Sequence, residues 1–153
     1  MRRSVFLSLS LLLLGLAGCG GDPSAPLDAT VSGPEDSTIT VNPPGGGSFS
    51  VGPLEFKVLN KAGAAVPGVE IELFAGNPGL GAFLIDLNGN LLNSNDPTYF
   101  KTKTDDRGLI SRVFYVVGLP VCGTEDQTMT GSVQASVGVS SKLWTGTYTI
   151  KKC

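Results

Sequence analysis

Apolar and acidic residues alternate over residues 69–73, which read Val69-Glu70-Ile71-Glu72-Leu73. Successive side chains of a β-strand point to opposite faces, so this period of two predicts a strand with one buried and one solvated face. The same period recurs in Leu54–Val58, in Val133–Val139 and, with threonines on the other parity, among Trp144, Tyr148 and Ile150. Strands with one wet face are typical of antiparallel sheets.

Turn-forming residues separate these runs. Asn88-Gly89 lies between the apolar stretches 83–87 and 91–92 and predicts a tight hairpin. The sequence Asp-Asp-Arg-Gly at 105–108 separates a predicted strand at Tyr99–Thr104 from one at Leu109–Val117. No stretch has a helical period, and about seven to nine short strands with regular turns predict an all-β sandwich over residues 37–153.

The inward face of the predicted strand at Leu109–Val117 stays open at this level. One parity holds Leu109, Ser111, Val113, Tyr115 and Val117, and the other holds Ile110, Arg112, Phe114 and Val116. A buried arginine needs a paired acceptor, which favours the parity without Arg112.

The first 18 residues have the pattern of an export signal. Arg2 and Arg3 precede an apolar run, Val5–Leu16, of 12 residues, and small residues follow it. A transmembrane helix needs about 20 apolar residues, so the run is too short to span a bilayer. Residues 1–18 are therefore predicted to be a signal peptide. Residues 19–36 contain three prolines and little to bury, and are predicted to be a flexible linker.

The end of this signal, Leu16-Ala17-Gly18-Cys19, resembles the lipobox of bacterial lipoproteins. The resemblance implies cleavage before Cys19, a diacylglycerol on its sulfur and an acyl chain on its new amino group. Gly20 and Gly21 occupy the place where an aspartate would favour retention at the inner membrane. The expected location is therefore the cell envelope, at the outer membrane, with its periplasmic and surface faces both open.

The remaining cysteines are expected to form a disulfide. The chain has 3 cysteines, and assigning Cys19 to lipid leaves Cys122 and Cys153. An exported compartment is oxidising and lets such a pair form. The closed loop of about 30 residues would be worth about 3–4 kcal/mol in the chain-entropy model. Two free thiols are the alternative.

Three further segments carry a family resemblance: Val66-Pro67-Gly68-Val69, Thr104-Asp105-Asp106-Arg107-Gly108 and Val133-Gln134-Ala135-Ser136-Val137. They resemble the bacterial immunoglobulin-like domain of group 1, the module repeated in invasin- and intimin-type surface proteins. The resemblance implies an immunoglobulin-like antiparallel sandwich that serves in cell adhesion or binds a protein or glycan. Transthyretin-like and carboxypeptidase-regulatory modules share the Pro-Gly strand and the Asp-Gly turn. They imply instead a structural or assembly module of the envelope without a ligand of its own.

The composition offers little for catalysis. The chain has no histidine, the commonest general base and zinc ligand. Asp105 and Asp106 are adjacent, and neighbours on a strand face opposite ways, so they are interpreted as turn residues rather than as an acid–base pair. We therefore expect a non-catalytic protein with no catalytic residue and no cofactor.

Asp86, Asn88 and Asn90 are weak candidates for calcium binding. Their oxygen-bearing side chains at every second position resemble the first half of an EF-hand loop. However, Gly89 comes too early for that loop and no glutamate follows at its twelfth position. Turn formation is the simpler explanation, and the expectation is no metal site.

Charge also limits the partners. With 11 basic and 13 acidic residues, the formal charge is -2, and no basic stripe is available for nucleic acid. The expected partners are the membrane, through the lipid anchor, and an envelope protein or glycan. Recognition is expected in residues 76–97 and 118–129, because sandwiches commonly bind through loops or open sheet edges. Phe74 and Phe100 would form a contact patch if both were exposed.

Overall fold

The computed structural model describes residues 26–42, 46–76 and 81–153, except for the side chain of Arg112, and within them all regular structure is β. In chain order the strands are β1 (Thr30–Ser32), β2 (Ser37–Val41), β3 (Gly47–Leu59), β4 (Glu70–Gly76), β5 (Ala82–Ile85), β6 (Tyr99–Lys103), β7 (Leu109–Leu119), β8 (Gln127–Val137) and β9 (Ser140–Ile150).

These strands form two sheets that pack as a sandwich. The four-stranded sheet has the order β1-β3-β7-β5 and the five-stranded sheet the order β2-β9-β8-β4-β6. All strand pairs are antiparallel except β2 and β9, which run parallel. The predicted all-β sandwich is therefore confirmed. The order β1-β3-β7-β5 corresponds to A-B-E-D of immunoglobulin constant-type domains and β4-β8-β9 to C-F-G, while β2 and β6 are additional strands at the edges of the second sheet.

The core lies between the sheets and follows the predicted alternation. On β3, Leu54, Phe56 and Val58 are buried, while Glu55 between them is exposed. The opposite sheet contributes its own inward residues: Ile71, Leu73, Val133, Ala135, Val137, Trp144, Tyr148 and Ile150. One predicted inward residue is wrong, because Val139 lies beyond the end of β8 and is 98% exposed.

A pair of facing glycines makes room for the largest core side chains. Gly131 of β8 and Gly146 of β9 are register partners. A Cβ on Gly146 would lie 2.8 Å from both the Tyr148 hydroxyl and the Trp144 ring. Trp144 in turn packs edge-on against Tyr115, with ring centroids 5.6 Å apart. Any side chain at these two positions would therefore displace an aromatic ring of the core.

The structured domain begins earlier than the predicted residue 37. Ala29 is buried, and β1 pairs with the end of β3 through Val31 and Val58. Thr30-Val31-Ser32 has good strand-forming residues that the surrounding prolines and glycines obscured. The segment between β1 and β2 crosses from one sheet to the other, so this part of the predicted linker belongs to the sandwich.

The parity question for Leu109–Val117 has a mixed answer. Val113, Tyr115 and Val117 are buried, as favoured from sequence. From the other parity Val116 is buried as well, and at the start of the strand Ile110 is buried instead of Leu109. The cause is a register shift: Leu54 pairs with Val113, whereas Phe56 pairs with Ile110. This bulge inserts an extra residue into β7 and exchanges its two faces.

The chain terminus is fastened at one end of the sandwich. The predicted disulfide between Cys122 and Cys153 is present, with Cα atoms 5.4 Å apart. The Lys151 Nζ lies 2.6 Å from Asp126 Oδ2, and the Lys152 N–H donates to Asp126 Oδ1 at 3.0 Å. These contacts hold the end of β9 against the short connection that precedes β8.

Candidate functional site

A groove of about 280 Å³ opens on the side of the sandwich where β6 and the first half of β7 lie at the edges of opposite sheets. We call it the β6–β7 groove. Its lining residues are Asp86, Leu92, Phe100, Thr102, Lys103, Asp105, Leu109, Ile110, Ser111 and Val113. An apolar floor with polar side chains at the rim is the usual character of a binding cleft.

The groove exists because β5 is too short to cover β7. β5 pairs with β7 over Ala82–Ile85 and Phe114–Val117 only. Over Leu109–Val113, β7 therefore has β3 on one side and, within the described chain, no strand on the other. The unpaired stretch of five residues is about 17 Å long at the usual rise of an extended chain.

The hydrogen-bond alternation directs a peptide group of β7 away from β3. The Val58 N–H donates to the Gly108 carbonyl at 2.9 Å, and Phe56 is the register partner of Ile110. In an antiparallel ladder, successive residues direct their N–H and C=O groups toward the neighbouring strands on opposite sides. Leu109 is thus directed away from β3, and its N–H and C=O are bonded to Asp105. The bulge between Ile110 and Val113 then interrupts the alternation at Ser111 and Arg112, which have no strand partner on the open side within the described chain.

The opposite wall is the edge strand β6. The Thr104 N–H donates to the Val69 carbonyl, and the Ala75 N–H donates to the Thr98 carbonyl, at 2.9 and 2.7 Å. The alternation between these bonds directs the peptide groups of Phe100 and Thr102 toward β4. Their side chains lie on the inward parity of β6, and both line the groove. By the same alternation the peptide groups of Lys101 face away from β4, so β6 is also an open strand edge.

Residues 86–98 connect β5 to β6 and close the groove at one end. The Asn88 and Asn90 N–H groups donate to Asp86 Oδ1 at 2.8 and 2.9 Å, and Asn90 Nδ2 donates to Oδ2 at 3.1 Å. These bonds, the backbone bond from Asn90 first, hold the pKa of the Asp86 carboxyl below its ordinary value. The predicted hairpin at Asn88-Gly89 is present as a turn, closed by a bridge between Ile85 and Leu91.

The other end of the groove is the turn at 105–108. Asp105 Oδ1 accepts the N–H groups of Leu109 and Arg107 at 2.8 and 2.9 Å, and Oδ2 lies 3.1 Å from the Arg107 guanidinium. These interactions, the Leu109 bond above all, lower the pKa of the Asp105 carboxyl. Gly108 completes the turn with a φ of 70°. Asp105 thus has the turn role predicted from sequence.

The two carboxylates at the groove are occupied by their own turns. Every oxygen of Asp86 and Asp105 accepts a hydrogen bond from a residue of the same turn. Among the described residues, no group of three or more cysteine, aspartate and glutamate side chains could hold a metal ion. Asp86, Asn88 and Asn90 thus build a turn, and the calcium alternative gains no support from their geometry.

The aromatic patch predicted at Phe74 and Phe100 is divided between two faces. Phe74 is 43% exposed on the outer face of β4, whereas Phe100 packs against the core. The aromatic partner of Phe74 is the half-buried Tyr99, with ring centroids 4.9 Å apart. Register partners lie side by side, so the missed neighbour of Phe74 is the residue opposite it, which sequence spacing alone could not identify.

The two predicted recognition loops differ in what they contribute. The segment 76–97 contains β5 and Leu92, which lines the groove. The segment 118–129 belongs to strands at both ends, because β7 extends to Leu119 and β8 begins at Gln127. What remains between those strands is held by the disulfide and the Asp126 contacts. The predicted signal peptide and the lipidation site Cys19 lie outside the described residues.

Comparisons with known proteins find no matching family model and no matching curated protein. Within residues 26–153, where the structure describes them, no helix is long and apolar enough to cross a membrane.

Proposed function

We propose that this chain is an exported lipoprotein, anchored at the outer membrane by an acylated Cys19, whose immunoglobulin-like domain of group 1 type binds an extended polypeptide segment of an envelope protein. The observation that carries the proposal is the unpaired stretch Leu109–Val113 of β7 above an apolar groove. Adhesion through such binding needs no catalytic residue and no cofactor.

The chemistry of the groove favours a polypeptide over a glycan. Glycan recognition relies on free polar side chains, but the carboxylates of Asp86 and Asp105 are already occupied. Leu109 is bonded to Asp105 through its N–H and C=O, but the rest of the stretch has no strand partner on the open side within the described chain. An extended peptide can bind such an edge by adding a strand. Leu92, Phe100 and Ile110 then offer contact for every second side chain of that peptide.

A matched pair of substitutions tests the site. Short random peptides displayed on phage would be selected on the immobilised mature chain, and their affinities measured by calorimetry. Thr102→Arg places a long side chain in the groove and is expected to weaken binding about tenfold or more. Thr38→Arg makes the same change on the exposed edge strand β2 and is expected to leave the affinity unchanged.

The outcomes separate the two functional classes. Binding that is lost in both variants, or kept in both, would contradict the groove as the site. A surface that selects no peptide would favour the structural or assembly role of the transthyretin-like alternative. The anchor is tested independently: the mass of protein purified from the envelope should show cleavage before Cys19 and three acyl chains.

A further inference from the structure

One end of the sandwich carries two apolar side chains that the domain leaves wholly in solvent. Leu27 is 101% exposed and Val139 is 98% exposed. The alternation along β8 predicts a buried Val139 instead. They flank a shallow hollow of about 90 Å³ lined by Pro26, Leu27, Ala29, Val137, Gly138 and Val139. We call these residues the apolar tip. Every side chain in it is apolar.

The local structure gives no reason for a valine at this place. Val137 pairs with Ser140, so the β8–β9 hairpin has the two-residue loop Gly138-Val139. Gly138 adopts a φ of 56° and satisfies the turn. Such loops favour asparagine, aspartate or glycine, whereas a β-branched apolar residue at the exposed position neither packs nor bonds. A residue that breaks a local rule without a compensating contact marks a place where function is to be sought.

The short distance along the sequence between Leu27 and Cys19 indicates which surface lies opposite the apolar tip. Leu27 is eight residues from Cys19 along the sequence, a separation that extended chain can span over at most about 28 Å. The Ala29 N–H donates to the Pro26 carbonyl and starts the domain at this same end. If Cys19 carries acyl chains in the bilayer, the apolar tip is the part of the domain that lies nearest to the lipid surface.

We propose that the apolar tip inserts into the lipid surface beside the anchor and fixes the orientation of the domain on the membrane. Leucine and valine side chains of this kind bury in the boundary between headgroups and acyl chains. The opposite end, with the disulfide and Val121, then points away from the membrane. This inference rests on the proposed lipid anchor and adds a second, non-covalent contact to it.

Tryptophan substitution tests the contact in the acylated protein. Val139→Trp and Leu27→Trp place a reporter in the tip, and Val121→Trp makes the matched change at the opposite end, where Val121 is 71% exposed. Each variant is purified from the envelope and reconstituted in vesicles of phosphatidylethanolamine and phosphatidylglycerol with brominated acyl chains. Trp144 is buried and supplies the same background in all of them.

The expected result is quenching and a blue shift of the added tryptophan at 139 and 27, and no change at 121. The mass of Cys19 in the same samples reports the anchor separately. Acylated protein whose tip reporters stay unquenched overturns the insertion and leaves the anchor intact. Quenching at all three positions overturns the orientation. Protein that lacks acyl chains overturns the anchor and this inference together.

Discussion

The two long sides of the sandwich differ in how the chain covers the edges of the sheets where it crosses between them. On the side of β1 and β2, the chain crosses between the sheets in the few residues from Ser32 to Ser37 and pairs with strands of both. On the side of β5 and β6, the crossing takes residues 86–98 and leaves part of β7 without a neighbour. We call the first side closed, because β1 and β2 cover β3 and β9 as edge strands, and the second side open, because half of β7 has no such cover within the described chain.

Specific contacts hold the closed side. Asp36 Oδ1 accepts the Thr145 N–H at 2.7 Å, and Ser140 Oγ accepts the Val31 N–H at 3.1 Å. Exposed strand edges invite pairing with other chains, and proteins usually cover or shorten them. The uncovered half of β7 is the feature on which the proposed peptide binding depends.

The largest expected effect comes from the disulfide at the end of the sandwich where β9 finishes. Replacing Cys122 and Cys153 by serine should lower the free energy of unfolding by about 3–4 kcal/mol, because the unfolded chain regains the freedom of a loop of about 30 residues. Urea denaturation measures the loss, and reduction of the wild-type protein is the control. A loss below about 1 kcal/mol would contradict a stabilising role for the bridge.

Alanine substitution of two strand glycines, one in each sheet, compares a crowded position with an open one. Gly146→Ala should destabilise the domain by about 1–3 kcal/mol, because its Cβ would press on Tyr148 and Trp144. Gly118→Ala is the control on β7, where the nearest atom to a new Cβ lies 3.9 Å away. Thermal unfolding should show a clear loss for the first variant and almost none for the second. Equal losses would mean that strand position, not close packing, decides the effect.

Single hydrogen bonds should also act differently on the two sides. Asp36→Ala removes the acceptor of the Thr145 N–H and should cost about 1 kcal/mol in global stability. Asn93→Ala removes the bond from Asn93 Nδ2 to the Tyr99 carbonyl, which lies in the irregular segment of the open side. This variant should speed amide exchange within residues 86–98 while the melting temperature stays constant. Equal effects of the two variants on global stability would contradict the difference between the closed and the open side.

The smallest expected effect concerns acid. The pKa of the Asp105 carboxyl is lowered by its bonds in the folded state, so the stability it contributes is complete above the unfolded value of 3.8 and is lost as the pH falls toward the folded value. Asp105→Asn should therefore flatten the decline of the unfolding free energy below about pH 4. Urea denaturation at a series of acidic pH values measures this slope. An unchanged slope in the variant would show that the turn does not favour the charged form.

Sequence reasoning recovered what local periodicity determines. The alternation at Leu54, Phe56 and Val58 correctly identified an inward face, and turn chemistry correctly placed the break at Asp105. It failed where distant strands decide the outcome. The bulge that turns Ile110 inward depends on the pairing between β7 and β3. The groove depends on how far β5 runs along β7, and no local pattern near Ser111 carries that information.

The most direct test of the account measures the exchange rates of the Ser111 and Arg112 amide hydrogens by NMR, in the free chain and with a selected peptide bound. The account predicts fast exchange in the free protein, because no strand in the described structure covers that edge, and slowing by about tenfold or more once an added strand accepts the hydrogen bond. Protection of both amides in the free chain, or exchange rates that do not change when the peptide binds, would contradict the open edge as the binding site.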